Sequence, residues 1–164
     1  MGHEICEDLF RHADRDGSLA VGGSPPEVIA WLEAAEIPND LMNLFRHSWP
    51  QKAASIGHLT FHTRQDLFGN RLLMKHKLLV IGNAPNGDLL AIRLKKDPPE
   101  IGIIDHDETA RTDSPLDYYQ PIATSLDSLL YRLIENRYVP MDYHAAKAFN
   151  GFLEEEAKRS SGSP

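Results

Sequence analysis

The chain has 164 residues, of which 41% are hydrophobic, 25% charged and 8% aromatic, which is the usage of an ordinary globular domain. This composition excludes collagen-like, disulfide-stapled and wholly disordered proteins, and the single cysteine, Cys6, excludes an intrachain disulfide and a cysteine-based zinc site. No apolar run reaches the roughly 20 residues that a membrane-spanning helix needs. The first eleven residues are too rich in charge for a secretory signal. We therefore expect a cytoplasmic protein that does not bind membranes.

The negative charge is concentrated in one stretch of the chain. The formal net charge is −7, and between residues 97 and 127 eight acids are accompanied by one base, Arg111, so that window alone accounts for it. An acidic protein is a poor ligand for nucleic acid, because binding phosphate requires a basic footprint. The stretch is therefore either a solvated loop that aids solubility or an acidic face that attracts a basic protein partner. The candidate partner-binding residues are Asp97, Glu100, Asp105, His106, Asp107, Glu108, Asp113 and Asp117.

The chain divides into a terminal segment, one domain and a tail. Residues 1–23 contain Ile5, Leu9 and Phe10 at helical spacing and predict a short, loosely attached helix. Residues 24–157 form the domain. The polar residues 158–164 predict a disordered tail.

Two helices open the domain. Ser24 and Glu27 have the spacing of a capping box around a proline, and they predict the start of a helix that ends at Pro38. Asn39 is expected to cap a second helix that ends before Pro50.

The middle of the chain changes from helical to strand periodicity. Strands are predicted around residues 58–62, 77–81, 89–94 and 101–104. Asn86-Gly87 is the strongest turn signal in the chain, because both residues tolerate a positive φ. The closely spaced strands on either side of this turn predict an antiparallel meander.

Two helices close the domain. Thr124 is expected to cap a helix whose leucines recur at one face, and Pro140 and Asp142 begin a last helix that runs through Leu153. The order of helices, strands and helices predicts an α+β fold, in which helices pack on one face of a mainly antiparallel, twisted sheet.

The densest group of titratable residues is Asp105-His106-Asp107-Glu108, directly after a predicted strand. A His-Asp pair there could hold a divalent metal that activates water for phosphate-ester hydrolysis. Neighbours on an extended chain point to opposite faces, so only Asp105 with Asp107, or His106 with Glu108, are expected to converge. A solvated loop or a partner surface is the favoured interpretation.

Three other motifs are weaker than they look. His58 and His62 on a strand would lie about 13 Å apart, too far to share a metal ion, and are expected to be exposed. Residues 12–23 resemble a calcium loop, but Gly23 stands where the bidentate glutamate is required. Residues 82–87 have the glycine spacing of a phosphate loop, but Asp88 would repel a phosphate. We therefore predict no metal and no cofactor.

Three segments together resemble the SUKH superfamily, the Smi/Knr family of toxin-immunity and cell-wall-synthesis regulators. They are Leu79–Ile92, which holds a strand that ends in glycine and a Gly-Asp entry to the next strand, Pro99–Asp107, which closes on His-Asp, and Ile122–Leu130, which begins Ile-Ala-Thr-Ser-Leu. The early helix with a tryptophan fits the same order, and the resemblance covers residues 24–136. The residues expected to be structural are Trp31, Pro38, Gly82, Gly87 and Asp88.

The resemblance implies a binding protein without shared catalytic residues. By that resemblance the chain is an immunity-type protein that neutralises a basic toxin or effector by covering its active surface. The alternatives are a metal-dependent phosphohydrolase centred on Asp105, His106 and Asp107, and a regulatory adaptor of the same fold. Trp49 and Phe68 are either core residues or binding anchors, and core is the favoured assignment.

Overall fold

The computed structural model describes residues 3–13, 19–67, 69–97 and 99–162, with one α+β domain. Its helices are α1 His3–Ala13, α2 Pro26–Ala34, α3 Asn39–His47, α4 Asn70–Met74, α5 His106–Thr109, α6 Leu126–Ile134 and α7 Tyr143–Ser161. Its strands are β1 Val21–Gly22, β2 Trp49–Pro50, β3 Ala54–Ile56, β4 Leu59–Phe61, β5 Leu78–Asn83, β6 Leu89–Arg93, β7 Glu100–Ile104 and β8 Tyr119–Ala123. Short 3-10 turns span Gln65–Leu67 and Pro115–Tyr118. None of the helices in these ranges combines the length and the apolarity needed to cross a membrane.

The sheet is an antiparallel meander in the order β3-β4-β5-β6-β7-β8, and β1 and β2 form a separate antiparallel pair. This confirms the predicted fold class. The turn between β5 and β6 contains Gly87 at a φ of 95°, as the Asn-Gly signal predicts. Gly82 is required by close packing, because a Cβ there would collide with the carbonyl oxygen of Thr60 on the neighbouring strand.

The main core lies on one face of the sheet. Alternate residues of β5, β6 and β7 point to this face and pack with buried residues of α1, α2, α3 and α6. Trp31 of α2 is half-buried against this core. The other face carries a smaller cluster, to which α4 contributes Leu73 and β8 contributes Tyr119.

The N-terminal helix is part of the core. Cys6 and Phe10 are buried, and the Phe10 ring packs edge-on against Trp49 at 5.6 Å and Phe61 at 5.7 Å between ring centroids. Burial raises the pKa of the Cys6 thiol to about 12. The sequence predicts this helix correctly, but the prediction that it is loosely attached is wrong. Trp49 is a core residue, whereas Phe68 and the calcium-like loop at 14–17 lie outside the described residues.

The predicted caps of the first two domain helices are wrong by one residue. Pro25 occupies the N-cap of α2 and makes no side-chain cap. The Ser24 hydroxyl is buried without a hydrogen-bond partner, while the Ser24 amide donates to the carbonyl of Phe45 at 2.7 Å. Pro38 likewise precedes α3, so Asn39 is its first helical residue. The helices form as predicted because their apolar faces are buried, without the capping hydrogen bonds.

The last two helices do have side-chain caps. Ser125, not Thr124, caps α6, since its hydroxyl accepts from the amide of Ser128 at 3.3 Å. Asp142 caps α7 by accepting from the amide of Ala145 at 2.7 Å.

The second half of α7 projects from the domain. The Asn150 side chain donates to the carbonyl of Pro121 at 3.0 Å and so fixes the first half of the helix to the edge strand β8. Residues 151–161 continue the helix and are all exposed. The predicted disorder of 158–164 is therefore wrong for residues 158–161, and residues 163 and 164 lie outside the described ranges.

Candidate functional site

The predicted acidic residues lie at opposite ends of β7. Asp97 and Glu100 lie at its beginning, whereas the other six follow its last residue, Ile104. At about 3.3 Å per strand residue, Glu100 and Asp105 are roughly 16 Å apart along the strand. The eight residues therefore do not form one continuous face.

The group at the beginning of β7 is balanced by bases. Asp97 follows Lys95 and Lys96 in the turn, and the Glu100 carboxylate lies 3.4 Å from the guanidinium of Arg93 on the neighbouring strand. This end of the sheet does not present a net acidic surface.

At the other end of β7 the chain turns at once into α5. The Asp105 carboxylate caps this helix, and its Oδ1 accepts from the amides of Asp107 at 3.0 Å and Glu108 at 3.4 Å. The predicted alternation beyond the strand is wrong, because His106 already begins a helical turn. Asp105 and His106 instead lie together beside Asp88.

Asp88 joins three segments of the chain. Its Oδ1 accepts from the amide of His106 at 3.1 Å and lies 2.7 Å from His106 Nδ1. Its Oδ2 accepts from the amide of Tyr143 at 2.8 Å and from the side chain of Asn86 at 2.9 Å. The side chain is only 3% exposed. One carboxylate thus links the β5–β6 turn to the beginnings of α5 and α7, which is a structural role.

Only some of the residues around Asp88 are predictable from the sequence. Asn86 is predicted as a turn residue, and Tyr143 falls within the predicted last helix. Their link through Asp88 was not predicted, because Tyr143 contributes a backbone amide that every residue has.

The pKa shifts of Asp88 and His106 both favour an ion pair between the Asp88 carboxylate and the protonated His106 ring. Burial raises the pKa of Asp88, but hydrogen bonds from Tyr143, Asn86 and His106 outweigh it and hold this pKa below its usual range. The hydrogen bond to Asp88 raises the pKa of His106, and the charges of Asp107 and Asp105 act in the same direction.

The His106→Gln variant is expected to lose a pH-dependent part of the stability. An imidazole whose pKa rises on folding stabilises the native state fully below its unfolded pKa, and this contribution disappears as the pH rises through the folded pKa. The free energy of unfolding of the wild type relative to His106→Gln should therefore fall as the pH rises from about 6.5, the pKa of an unfolded histidine, into the alkaline range. Urea unfolding across this range measures it, with His144→Gln as the control, because His144 is 78% exposed. Burial lowers the pKa of His62, so His62 makes the free energy of unfolding rise with pH. This contribution cancels in the comparison, because His62 is present in both proteins. If the free energy of unfolding of the wild type and of His106→Gln depended on pH in the same way, the raised pKa of His106 would be contradicted.

Asp88, Asp105 and His106 also meet the geometric requirement for a metal site, with ligand atoms within 4.8 Å of one another. These atoms already have partners, because the Asp88 oxygens accept from three donor groups besides the His106 ring and Asp105 caps α5. A metal ion would have to replace contacts that hold three segments together.

The two histidines near β4 are half-buried, so their predicted exposure is wrong. His58 Nε2 lies 3.1 Å from the carbonyl oxygen of Pro140, and the carbonyl of His62 accepts from the Trp49 indole at 2.6 Å. Both residues take part in packing the chain around β4.

Four exposed or half-exposed carboxylates remain at the α5 end of β7, and we name them the acidic end surface: Asp107, Glu108, Asp113 and Asp117. Asp107 is 71% exposed and lies 3.4 Å from His106 Nε2. Within the described ranges, none of the four forms an ion pair with lysine or arginine, and Arg111 is the only such residue between 105 and 118. The surface therefore carries a net negative charge that the domain does not neutralise.

Comparisons with protein-family models, curated proteins and solved structures find no match for this chain.

Proposed function

We propose that this chain is a non-enzymatic protein-binding domain, an immunity-type protein that neutralises a basic toxin or effector by stoichiometric binding. The observation that carries the proposal is the acidic end surface, whose four carboxylates lack lysine or arginine partners in the described chain. The resemblance to the SUKH superfamily supplies the class of protein.

The chemistry of the neighbouring groups supports binding rather than catalysis. Asp88 and Asp105 hold helix starts in place, so the carboxylates that are free to meet another molecule are those of the acidic end surface. A toxin that cuts nucleic acid needs a basic surface to hold phosphates, and an acidic protein can cover such a surface. Opposite charges also accelerate the encounter, which suits a protein that must capture a toxin quickly.

The interface is smaller than the sequence predicts. Asp105 is a cap with a side chain only 13% exposed, so we exclude it as a direct contact. Asp97 and Glu100 lie at the opposite end of β7 and are excluded for that reason.

Charge reversal tests the proposal. The wild type and the variant Asp107→Lys/Asp113→Lys are used to capture partners from a lysate of the source organism at low and high salt. We expect one basic partner near one-to-one stoichiometry, and an association rate that the variant lowers by about tenfold or more at low salt. The control Asp8→Lys/Glu135→Lys makes the same change of charge at exposed positions elsewhere and should bind at nearly the wild-type rate. An unchanged association rate in the first variant would contradict the proposed surface.

Two alternatives predict different results in further measurements on the same protein. The metal-dependent phosphohydrolase, favoured by the 4.8 Å cluster, would give stoichiometric metal on elemental analysis and phosphodiesterase activity that His106→Ala abolishes. The regulatory adaptor would bind a partner that has no toxic activity, whereas the immunity protein inhibits the activity of its partner.

A further inference from the structure

An apolar cleft lies at the end of the sheet opposite the acidic end surface. Its volume is about 500 Å³, which is within the usual range for binding pockets. Its apolar walls come from the buried side of α1, from α3, from β6 and β7, and from the beginning of α6, and its rim carries four charges. The apolar lining includes Leu41, Leu44, Ile92, Leu94, Ile101 and Leu126.

The charges at the rim have both signs. Lys95, Lys96 and Asp97 come from the β6–β7 turn, and Asp40 comes from the first turn of α3. The cleft therefore suits a ligand that carries apolar, acidic and basic groups close together.

The projecting part of α7 has this composition. Phe152 is 54% exposed and Leu153 is 45% exposed. With Phe149 they have the i, i+3, i+4 spacing of a helix that inserts into a groove. The acidic run 154–156 follows directly, and then come Lys158 and Arg159. This helix extends about 16 Å past its last hydrogen bond to the domain, at 1.5 Å per residue.

We propose that the cleft of one chain receives α7 of a second copy of the same chain. Phe152 and Leu153 enter the apolar cleft, and the acidic run 154–156 meets Lys95 and Lys96. Lys158 and Arg159 then reach the acidic groups of the rim, so the two surfaces match in polarity and in both signs of charge. In this dimer each chain inserts its α7 into the cleft of its partner and binds the partner's α7 in its own cleft.

The exchange has a simple geometric consequence. If two chains insert their helices into each other, the contacts form a closed two-fold dimer, since each chain uses the same two surfaces. The acidic end surface lies at the other end of β7 from the cleft. The inference therefore does not depend on the proposed function.

Sedimentation of the full chain at about 50 µM tests the dimer. We expect the wild type to sediment as a dimer and Phe152→Asp/Leu153→Asp to sediment as a monomer. Lys95→Glu/Lys96→Glu should weaken the dimer at least tenfold. All four positions are exposed or half-exposed, and the far-ultraviolet circular dichroism of each variant establishes that it is folded. The control Lys52→Glu/Arg71→Glu makes the same change of charge at exposed positions away from the cleft and should remain dimeric.

A charge exchange identifies the occupant of the cleft. Glu154→Lys/Glu155→Lys should weaken the dimer, and combining it with Lys95→Glu/Lys96→Glu in one chain should restore it. A monomeric wild type would overturn the proposal. A dimer that survives Phe152→Asp/Leu153→Asp, or a combined variant that is not restored, would overturn it as well.

Discussion

Replacing Asp88 with alanine is expected to lower the free energy of unfolding by about 3–5 kcal/mol, because each of several donors left buried and unpaired costs about 1–3 kcal/mol. The variant leaves the amides of His106 and Tyr143 and the side chain of Asn86 without their acceptor. Such donors cost free energy when they remain buried and unpaired. Urea unfolding followed by tryptophan fluorescence measures the loss.

Two further variants separate the hydrogen bonds from the volume of the side chain. Asp88→Asn keeps the shape but places an amide N–H where the carboxylate accepted, so it should also destabilise the fold. Asp97→Ala removes an exposed carboxylate and should change stability by no more than about 0.5 kcal/mol. A loss below about 1 kcal/mol in Asp88→Ala would mean that water satisfies the three donors.

The variant Phe10→Ala is also expected to cost about 3–5 kcal/mol, because it leaves a cavity in a fully packed aromatic cluster. Phe10 has no exposed surface and contacts Trp49 and Phe61 edge-on. Since whole domains are stable by about 5–15 kcal/mol, this substitution removes a large share of the stability. Urea unfolding followed by circular dichroism measures it.

An exposed residue of α1 provides the control for Phe10→Ala. Ile5 is 52% exposed, so Ile5→Ala should cost much less than Phe10→Ala. If the two variants were equally stable, α1 would be an appendage, as its sequence alone suggested, and not part of the core.

The meander was predictable from the sequence because its signals are local. The alternation in β6, the Asn86-Gly87 turn and the apolar run of β5 all act over a few residues. The positions of α1, α2, α3, α6 and α7 were predictable for the same reason, through the spacing of their apolar residues. The short helices α4 and α5 and the strands β3 and β8 were not predicted.

Other features depend on contacts between distant residues. The spacing of Ile5, Leu9 and Phe10 indicates an apolar helix face, but only the fold brings Trp49 and Phe61 against Phe10. The acidic window looked like one surface because its members are neighbours in sequence. The five residues of β7 separate them in space.

The residues of the candidate site could be named from the sequence, but the local geometry predicted for them was wrong. The alternation argument for Asp105 and His106 required an extended chain, whereas the Asp105 cap turns the chain into α5. A helix start directly after a strand has a recognisable signal, an aspartate followed by acidic residues in the first turn.

The contact between Asp88 and Tyr143 spans 55 positions of the chain, and this sets the order in which the molecule assembles. Hairpins with short loops close quickly, while a contact that requires a long loop forms late. We expect the hairpins of β5, β6 and β7 to form first, and the last helix to dock onto the Asp88 carboxylate once the β5–β6 turn has positioned it. Loss of that carboxylate should then accelerate unfolding more than it slows folding, because a contact made after the transition state contributes only to the unfolding barrier.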